Sequence, residues 1–320
     1  MNAAVVTSFE EPPHYLEFAR PQAGGPDQVL VDVLAVGLHP RVRSGASGRH
    51  YSSTGELPMI PGIDGVGRRV SDGALVYFAC DDERHGSMCE RTLAESWRIV
   101  ELPDGVDIAR IAAAMNPAMS SWVALRRKRP LQGGETVLVL GATGNAGSMA
   151  VQIAKLLGAG QVIGAGRNPE RLAALAEYGA DATVRLGDDP AVTATALAEA
   201  AAEADVVIDY LWSEPAALAM EALLRARADR SRALDWIQIG ALTGPTLELP
   251  SVYLRSANLR IQGNGQGSTS AAEYVAQLPA LVEQIEAGAL RVNPRTRPLH
   301  EVEAAWRELD APGERTVLIP

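Results

Sequence analysis

Hydrophobic residues recur in two different patterns along this chain. Before about residue 115, short apolar runs are separated by turns that contain glycine and proline. Short apolar runs bounded by such turns are typical of β-strands. The pattern therefore predicts a mainly β domain with strands at residues 3–8, 29–36, 74–79 and 97–100.

From Glu135 onward, apolar strand segments alternate with segments whose hydrophobic residues have helical spacing. Such alternation indicates a parallel sheet with helices on both faces. We therefore predict a doubly wound α/β domain of the Rossmann type, with strands at residues 136–141, 161–165, 205–210, 235–240 and 259–263.

The remainder of the chain predicts one amphipathic helix over residues 271–287 and a terminal strand. A segment of this length buries too little apolar surface to fold alone, so we expect it to pack on the first domain. The predicted division is 1–119 for the β domain, 120–268 for the Rossmann domain and 269–320 for the return segment.

The composition argues against a disordered chain, a nucleic-acid partner and a membrane span. With 47% hydrophobic and 21% charged residues, the chain fits a folded protein rather than a disordered one. Its net charge of −10 disfavours nucleic acid as a partner, since phosphate contacts need a basic surface. Without an apolar stretch of ~18 residues or a secretory signal pattern, we expect no membrane span. Cys80 and Cys89 are the only cysteines, which favours a reducing, cytoplasmic location.

The segment GATGNAG, residues 141–147, lies between a predicted strand and a predicted helix. This arrangement is typical of a dinucleotide pyrophosphate site, because glycine lets the backbone approach and the helix N-terminus faces the negative charge. A tight turn without a ligand is the alternative. We predict that the loop binds the cofactor through Gly141, Thr143, Gly144, Asn145, Ala146 and Gly147.

The end of the next strand indicates which dinucleotide is bound. NAD sites usually place a carboxylate there, about 20 residues further on, to bind the ribose 2′-hydroxyl. Here Gly166 is followed by Arg167, and Arg171 lies one helical turn later. A guanidinium can form two parallel hydrogen bonds with a phosphate, so these residues favour NADPH. The alternative for Arg171 is a surface residue of the helix.

Segments spread over nearly the whole chain match one known family. They are VLVDVLAVGLHP (29–40), PGIDGVG (61–67), NPAMSSWVAL (116–125), the glycine loop, IQIGALTG (237–244) and RTVLIP (315–320). In these segments the chain resembles the medium-chain dehydrogenase/reductase superfamily, and within it the zinc-independent quinone oxidoreductase (zeta-crystallin-like) branch. The resemblance implies a mainly β GroES-like catalytic domain into which the Rossmann domain is inserted.

The zinc enzymes of that superfamily differ from this chain at their metal ligands. They carry a cysteine where this chain has His39, and Gly-His-Glu where it has Gly62, Ile63 and Asp64. The four-cysteine loop of their structural zinc is missing as well. Because both the thiolate and the imidazole ligand of the zinc enzymes are replaced at those positions, we expect no catalytic zinc. The resemblance then implies hydride transfer from NADPH to a quinone or an α,β-unsaturated carbonyl, which delocalises its own developing charge.

The resemblance also implies individual site residues. On the nicotinamide side and near the C-terminus, the matching cofactor-binding positions are Ser120, Gly240, Ala241, Gly263, Asn264 and Arg315. As catalytic residues we expect His39, as donor to the acceptor carbonyl, and Tyr51, as a pocket residue; the alternative for His39 is a loop histidine bonded to nearby backbone. The branch usually has asparagine at the place of His39 and aspartate at that of Val42.

Two other functions stay open. A 2-enoyl thioester reductase would share the cofactor and would use basic residues for an anionic carrier arm, for which Arg41, Arg43 and Arg49 are candidates. A noncatalytic NADPH-binding protein would resemble the crystallin relatives. Relatives join two Rossmann sheets through the segment that corresponds to residues 247–263, so we expect a homodimer.

Overall fold

The computed structural model describes residues 1–80, 84–311 and 313–320, which divide into two compact units. The first unit comprises Met1–Asn116 and Ala272–Pro320, and the second comprises Pro117–Ala271. Among the described residues, no helix is long and apolar enough to cross a membrane.

Short strands dominate the first part of the first unit. Its strands are β1 (Asn2–Val5), β2 (His14–Glu17), β3 (Gln28–Gly37), β4 (Asp64–Arg69), β5 (Leu75–Ala79), β6 (Arg91–Glu95) and β7 (Ile99–Glu101). Its helices are α1 (Pro40–Ala46) and α2 (Ile108–Val123), and the division between the units falls within α2. The strand predicted at 97–100 is wrong in its first half, because Ser96–Arg98 form a 3-10 turn before β7.

Strand β4 was absent from the predicted set because its sequence, DGVGRR, lacks an alternating apolar pattern. Its two glycines are required by close packing on β3. A Cβ atom on Gly67 would lie 2.5 Å from the Asp32 carbonyl oxygen, and one on Gly65 would lie 2.9 Å from that of Ala35. The register between β3 and β4 shifts at this point, between Val33 and Ala35.

The second unit confirms the predicted doubly wound sheet. Its strands are β8 (Thr136–Leu140), β9 (Gln161–Gly166), β10 (Ala182–Arg185), β11 (Val206–Asp209), β12 (Leu234–Gln238) and β13 (Leu259–Gly263). All pair in parallel, in the order β10-β9-β8-β11-β12-β13. The helices between them are α3 (Asn145–Leu156), α4 (Pro169–Ala174), α5 (Pro190–Ala201), α6 (Ser213–Ala226) and α7 (Ser251–Ser256). Apolar residues of α5 and α6 pack with Leu138, Val207 and Trp236 of the sheet in one buried core.

The C-terminal segment completes the sheet of the first unit. It contains α8 (Ala271–Val275), α9 (Leu278–Glu286), β14 (Asn293–Pro298), α10 (Val302–Arg307) and β15 (Glu314–Ile319). The sheet has the order β14-β15-β3-β4-β5-β7, with β6 paired to β3. The single helix predicted over 271–287 is wrong: two helices form, because Pro279 in the first turn of α9 cannot continue a preceding helix.

Candidate functional site

The glycine loop lies at the carboxyl edge of the parallel sheet. From β8 the chain continues to β9 and β10 on one side, and it returns to β11 on the other side. The neighbouring strands β8 and β11 therefore mark the point at which the strand order reverses. Ligands of open α/β sheets bind in this crevice, outside the carboxyl ends of the strands.

The backbone of the loop leaves no room for side chains at two positions. Gly141 has φ +85°, and a Cβ atom there would lie 3.1 Å from Cδ2 of Leu211, two residues after β11. A Cβ atom on Gly147 would lie 2.2 Å from the Gly141 carbonyl oxygen and 2.7 Å from the Ala142 Cα. Because Gly147 has no side chain, the first turn of α3 can lie directly against the loop.

The N-terminus of α3 opens at this crevice. Gly144 is the N-cap residue and makes no side-chain capping hydrogen bond. The first-turn amide groups, beginning with those of Asn145 and Ala146, belong to a twelve-residue helix whose dipole is positive at this end. An anionic group such as a pyrophosphate is favoured at such a terminus.

The two arginines predicted to bind the 2′-phosphate, Arg167 and Arg171, differ in burial. Gly166 ends β9, and its missing side chain makes space for Thr143, whose Oγ1 would be 2.7 Å from a Cβ atom there. Arg167 follows and is exposed. Arg171 is half-buried and donates from Nη1 to the Thr143 carbonyl oxygen at 3.2 Å. Asn168 caps α4 by accepting from the Arg171 amide at 2.9 Å.

The residues predicted for the nicotinamide side gather at the same edge of the second unit. Asn264 Nδ2 donates to the Ser120 carbonyl oxygen at 2.8 Å. Gly240 follows β12, where a Cβ atom would lie 2.8 Å from the Tyr210 carbonyl oxygen. Ala241 is exposed, and Gly263 is the last residue of β13.

His39 lies in a buried cluster of the first unit rather than at its surface. Its side chain is 2% exposed, and Nε2 is 3.2 Å from Asp64 Oδ1. The other carboxylate oxygen, Asp64 Oδ2, accepts from the Tyr77 hydroxyl at 2.7 Å. Because a carboxylate only accepts, the His39 proton belongs on Nε2. The partner of His39 is therefore a carboxylate from the first residue of β4, not the nearby backbone.

Burial determines the charge of this cluster. Loss of hydration lowers the pKa of His39 below its usual value, although Asp64 acts in the opposite direction. Burial raises the pKa of Tyr77 well above its usual value, and the Asp64 charge adds to the effect. At neutral pH, a neutral imidazole and a neutral phenol thus share one aspartate.

The predicted C-terminal contact, Arg315, is also buried. Its Nη1 donates to the Leu38 carbonyl oxygen at 2.9 Å and to Asp310 Oδ2 at 3.2 Å. Burial lowers the pKa of this guanidinium. Arg315 thereby fixes the chain directly before His39.

The remaining candidates lie around α1. Tyr51 is 72% exposed, with its ring 4.2 Å from that of His50 between centroids. Arg41 donates to Ser52 Oγ at 2.9 Å. Arg43, a candidate for an anionic carrier arm, donates instead to carbonyl oxygens of Ala305, Trp306 and Glu308 at the end of α10. Arg49 is exposed.

The positions that correspond to zinc ligands do not form a zinc donor set. His39 and Asp64 are bonded to each other, and Ile63 has no donor atom. Over residues 1–80, 84–311 and 313–320, no three histidine, cysteine, aspartate or glutamate side chains are grouped in a way that could hold a metal ion.

Sequence reasoning missed Tyr210 and the pairing of Asp64 with His39. Tyr210 follows the buried strand β11 and is itself 6% exposed, with its hydroxyl 3.0 Å from Ser120 Oγ. A polar side chain directly after a buried parallel strand is a signal for this edge of the sheet. No comparable signal connects residues 39 and 64, because only the register of the sheet brings them together.

Comparisons with known proteins agree with this geometry. Residues 146–281 match the family described as "Zinc-binding dehydrogenase". The chain is 31% identical, over 364 residues and all of both chains, to the "Probable NADPH-dependent quinone reductase tdiC" of Emericella nidulans. It is 33% identical over 184 residues to a quinone oxidoreductase of Pseudomonas aeruginosa, covering 54% of this chain and 55% of the relative. The quinone oxidoreductase of Thermus thermophilus, also solved as a complex with NADPH, is similar over all of both chains, with 25% identity and a TM-score of 0.81.

Proposed function

Because the chain belongs to the medium-chain dehydrogenase/reductase superfamily, in its quinone oxidoreductase branch, we propose that it is an NADPH-dependent reductase of quinones or α,β-unsaturated carbonyls. The observation that carries the proposal is the glycine loop at the point where the strand order of the parallel sheet reverses. That position is where dinucleotides bind in this fold.

The residues at the loop fit the parts of NADPH. The α3 N-terminus, with Gly141, Gly144 and Gly147 around it, suits the pyrophosphate. Arg167 and Arg171 suit the 2′-phosphate, and no carboxylate lies at residues 166–169 to bind a free ribose hydroxyl. When bound, NADPH supplies a hydride; a proton from solvent or a side chain then completes the reduction of the acceptor.

We further propose that the reaction needs no zinc. At the corresponding positions only an imidazole and a carboxylate are available, and they are bonded to each other. Quinones and enones spread the developing charge over a conjugated system, so their reduction does not depend on a Lewis acid.

The decisive experiment measures NADPH consumption by absorbance with 1,4-benzoquinone, an enal and an enoyl thioester, before and after dialysis against a chelator. We expect turnover with the quinone or the enal that survives dialysis. Consumption with the thioester alone would favour the thioester reductase, and NADPH binding without any consumption would favour a noncatalytic protein. Stoichiometric zinc by elemental analysis, lost together with activity, would overturn the zinc-free proposal.

His39 and Tyr51 are proposed to act on the acceptor, His39 as a donor to its carbonyl oxygen. Since His39 is bonded to Asp64 and buried, its Nε2 proton must exchange partners to reach an acceptor. His39→Ala should lower kcat more than it raises the Kd for NADPH, and Tyr51→Phe should raise KM for the quinone. Unchanged turnover in both variants would show that neither residue acts on the acceptor, and would refute this assignment.

We also propose a homodimer that forms through the outer edge of β13. This strand ends the parallel sheet of the described residues, and Val252 and Leu254 of the preceding helix α7 are exposed. An unpaired edge beside apolar side chains favours pairing with a second copy. Light scattering should give twice the mass of the chain, and a charged residue in place of Leu254 should yield monomers.

A further inference from the structure

Four polar residues of the second unit form a connected hydrogen-bond network at the carboxyl edge of the sheet. The Tyr210 hydroxyl lies 3.0 Å from Ser120 Oγ, and Asn264 Nδ2 donates to the Ser120 carbonyl oxygen at 2.8 Å. Thr269 Oγ1 in turn donates to Asn264 Oδ1 at 3.2 Å. Ser120 and Asn264 were predicted on the nicotinamide side. Tyr210 and Thr269 extend that pair into what we call the Tyr210 network.

Neighbouring groups hold Tyr210 in a fixed place. Trp212 and Ser213, two and three residues further on, have φ +60° and +52°, a region that side-chain-bearing residues seldom adopt. The buried carboxylate of Asp209 accepts from the amides of Leu211 and Trp212 at 2.8 and 3.0 Å, and from the Trp236 indole at 3.0 Å.

The opposite side of this turn is fixed as well. Thr243 Oγ1 lies within hydrogen-bond distance of the Leu211 and Trp212 carbonyl oxygens, at 2.9 and 2.8 Å. Backbone strain that persists under such restraint is typical of functional sites, where it fixes one side chain in a required position. Here the side chain that directly precedes the restrained turn is Tyr210.

Either hydroxyl can be the donor in the Tyr210–Ser120 hydrogen bond. Each has one proton, and a phenol is a stronger donor than an aliphatic alcohol. Burial raises the pKa of Tyr210 to about 12, so the phenol keeps its proton at neutral pH. Donor strength thus favours the arrangement in which Ser120 Oγ accepts from Tyr210, and the phenol also interacts with the Ser121 side chain. The Ser120 hydroxyl has a long contact, 3.4 Å, with the Pro117 carbonyl oxygen.

We propose that Tyr210 is a positioning residue that fixes the Ser120 hydroxyl as a hydrogen-bond donor to the carboxamide oxygen of the nicotinamide. The inference rests on the proposed function, which supplies the ligand. Ser120 touches the cofactor group, whereas Tyr210 acts through Ser120 by satisfying the acceptor side of its hydroxyl. Asn264 supports this arrangement by donating to the Ser120 carbonyl oxygen.

The test compares Tyr210→Phe, Ser120→Ala and the double variant, with Tyr178→Phe as a matched control in the same unit. The Kd for NADPH is measured by fluorescence titration, and folding is checked by thermal unfolding. Loss of one hydrogen bond corresponds to about three- to tenfold weaker binding. We expect this loss in Tyr210→Phe and in Ser120→Ala, and a double variant no weaker than Ser120→Ala, because both changes remove the same interaction.

A second readout separates positioning from general stability. The thionicotinamide analogue of NADPH carries sulfur, a weaker acceptor, in place of the carboxamide oxygen. The preference for NADPH over this analogue should fall in Tyr210→Phe and Ser120→Ala and stay unchanged in Tyr178→Phe. If Tyr210→Phe does not fold, Tyr210→Met, which also lacks the hydroxyl, takes its place.

Two results would overturn the inference alone: a parent that binds and oxidises NADPH while Tyr210→Phe keeps the parental Kd, or losses in the single variants that multiply in the double variant. A parent that does not bind NADPH would instead overturn the proposed function, and this inference with it.

Discussion

The glycine loop of the second unit and the His39–Asp64–Tyr77 cluster of the first unit are built from different groups. The loop presents backbone amides, and its shape depends on absent side chains, since a Cβ atom on Gly147 would lie 2.2 Å from a carbonyl oxygen. The cluster consists of three buried side chains, of which His39 and Tyr77 both hydrogen-bond to the Asp64 carboxylate. The loop should therefore be sensitive to added volume, and the cluster to the loss of a partner.

The largest effect is expected from Asp64→Ala in the cluster. The change leaves His39 Nε2–H and the Tyr77 hydroxyl without their acceptor, at about 1–3 kcal/mol for each buried donor. We expect the free energy of unfolding to fall by about 2–6 kcal/mol. The matched control is Asp32→Ala, which breaks a partly exposed ion pair with Arg91 in the same sheet and should cost less than about 1 kcal/mol. Equal losses in urea unfolding would show that the cluster is no more sensitive than the surface.

The next largest effect should come from Gly147→Ala in the loop. The added methyl group meets backbone atoms of Gly141 and Ala142, which can move only with the whole turn, so we expect a loss of about 2–3 kcal/mol and weaker NADPH binding. Gly144→Ala is the control, since its Cβ would lie 3.5 Å from the nearest atom at a permitted φ of −83°. That variant should lose no more than about 1 kcal/mol, the cost of a poorer N-cap. A stable Gly147→Ala variant with parental affinity would contradict the dependence of the loop on missing volume.

The same distinction explains what could be predicted from the sequence. The loop lies within seven consecutive residues, and its strand and helix follow from local hydrophobic spacing, so both its existence and its place in the fold were predictable. His39, Asp64 and Tyr77 belong to three separate segments, and only the pairing of β4 with β5 brings Asp64 and Tyr77 into reach. Local patterns contain no information on such pairings, so the sequence marks His39 as a departure from the branch but does not predict its burial.

A smaller effect, on the preference for NADPH over NADH, is expected from a change at Arg167, which lies next to the glycine loop. The exposed guanidinium is proposed to bind the 2′-phosphate, and a charge-assisted hydrogen bond corresponds to about tenfold or more in affinity. Arg167→Ala should therefore reduce the ratio of NADH to NADPH dissociation constants by about tenfold, with the Kd for NADH little changed. Arg225→Ala, which removes an exposed arginine paired with Glu221 on α6, should leave the ratio unaltered. Equal dissociation constants for both cofactors in the parent would contradict the proposed preference.

The smallest effect concerns two histidines of the first unit whose pKa values are displaced in opposite directions. Burial lowers the pKa of His39 in the folded state, so the unfolded chain binds more protons below about pH 6.5. The contribution of His39 to stability should therefore decrease as the pH falls. The Glu303 hydrogen bond raises the pKa of His14, so its contribution is complete below about pH 6.5 and is lost as the pH rises through the folded-state value. His14 is partly exposed, so its contribution should be only a few tenths of a kcal/mol, about that of a surface ion pair. Urea unfolding at about pH 5.5 and about pH 8 should show a smaller acid loss in His39→Gln than in the parent, and a larger one in His14→Gln. The same pH dependence in all three proteins would mean that neither histidine differs in proton affinity between the folded and unfolded states.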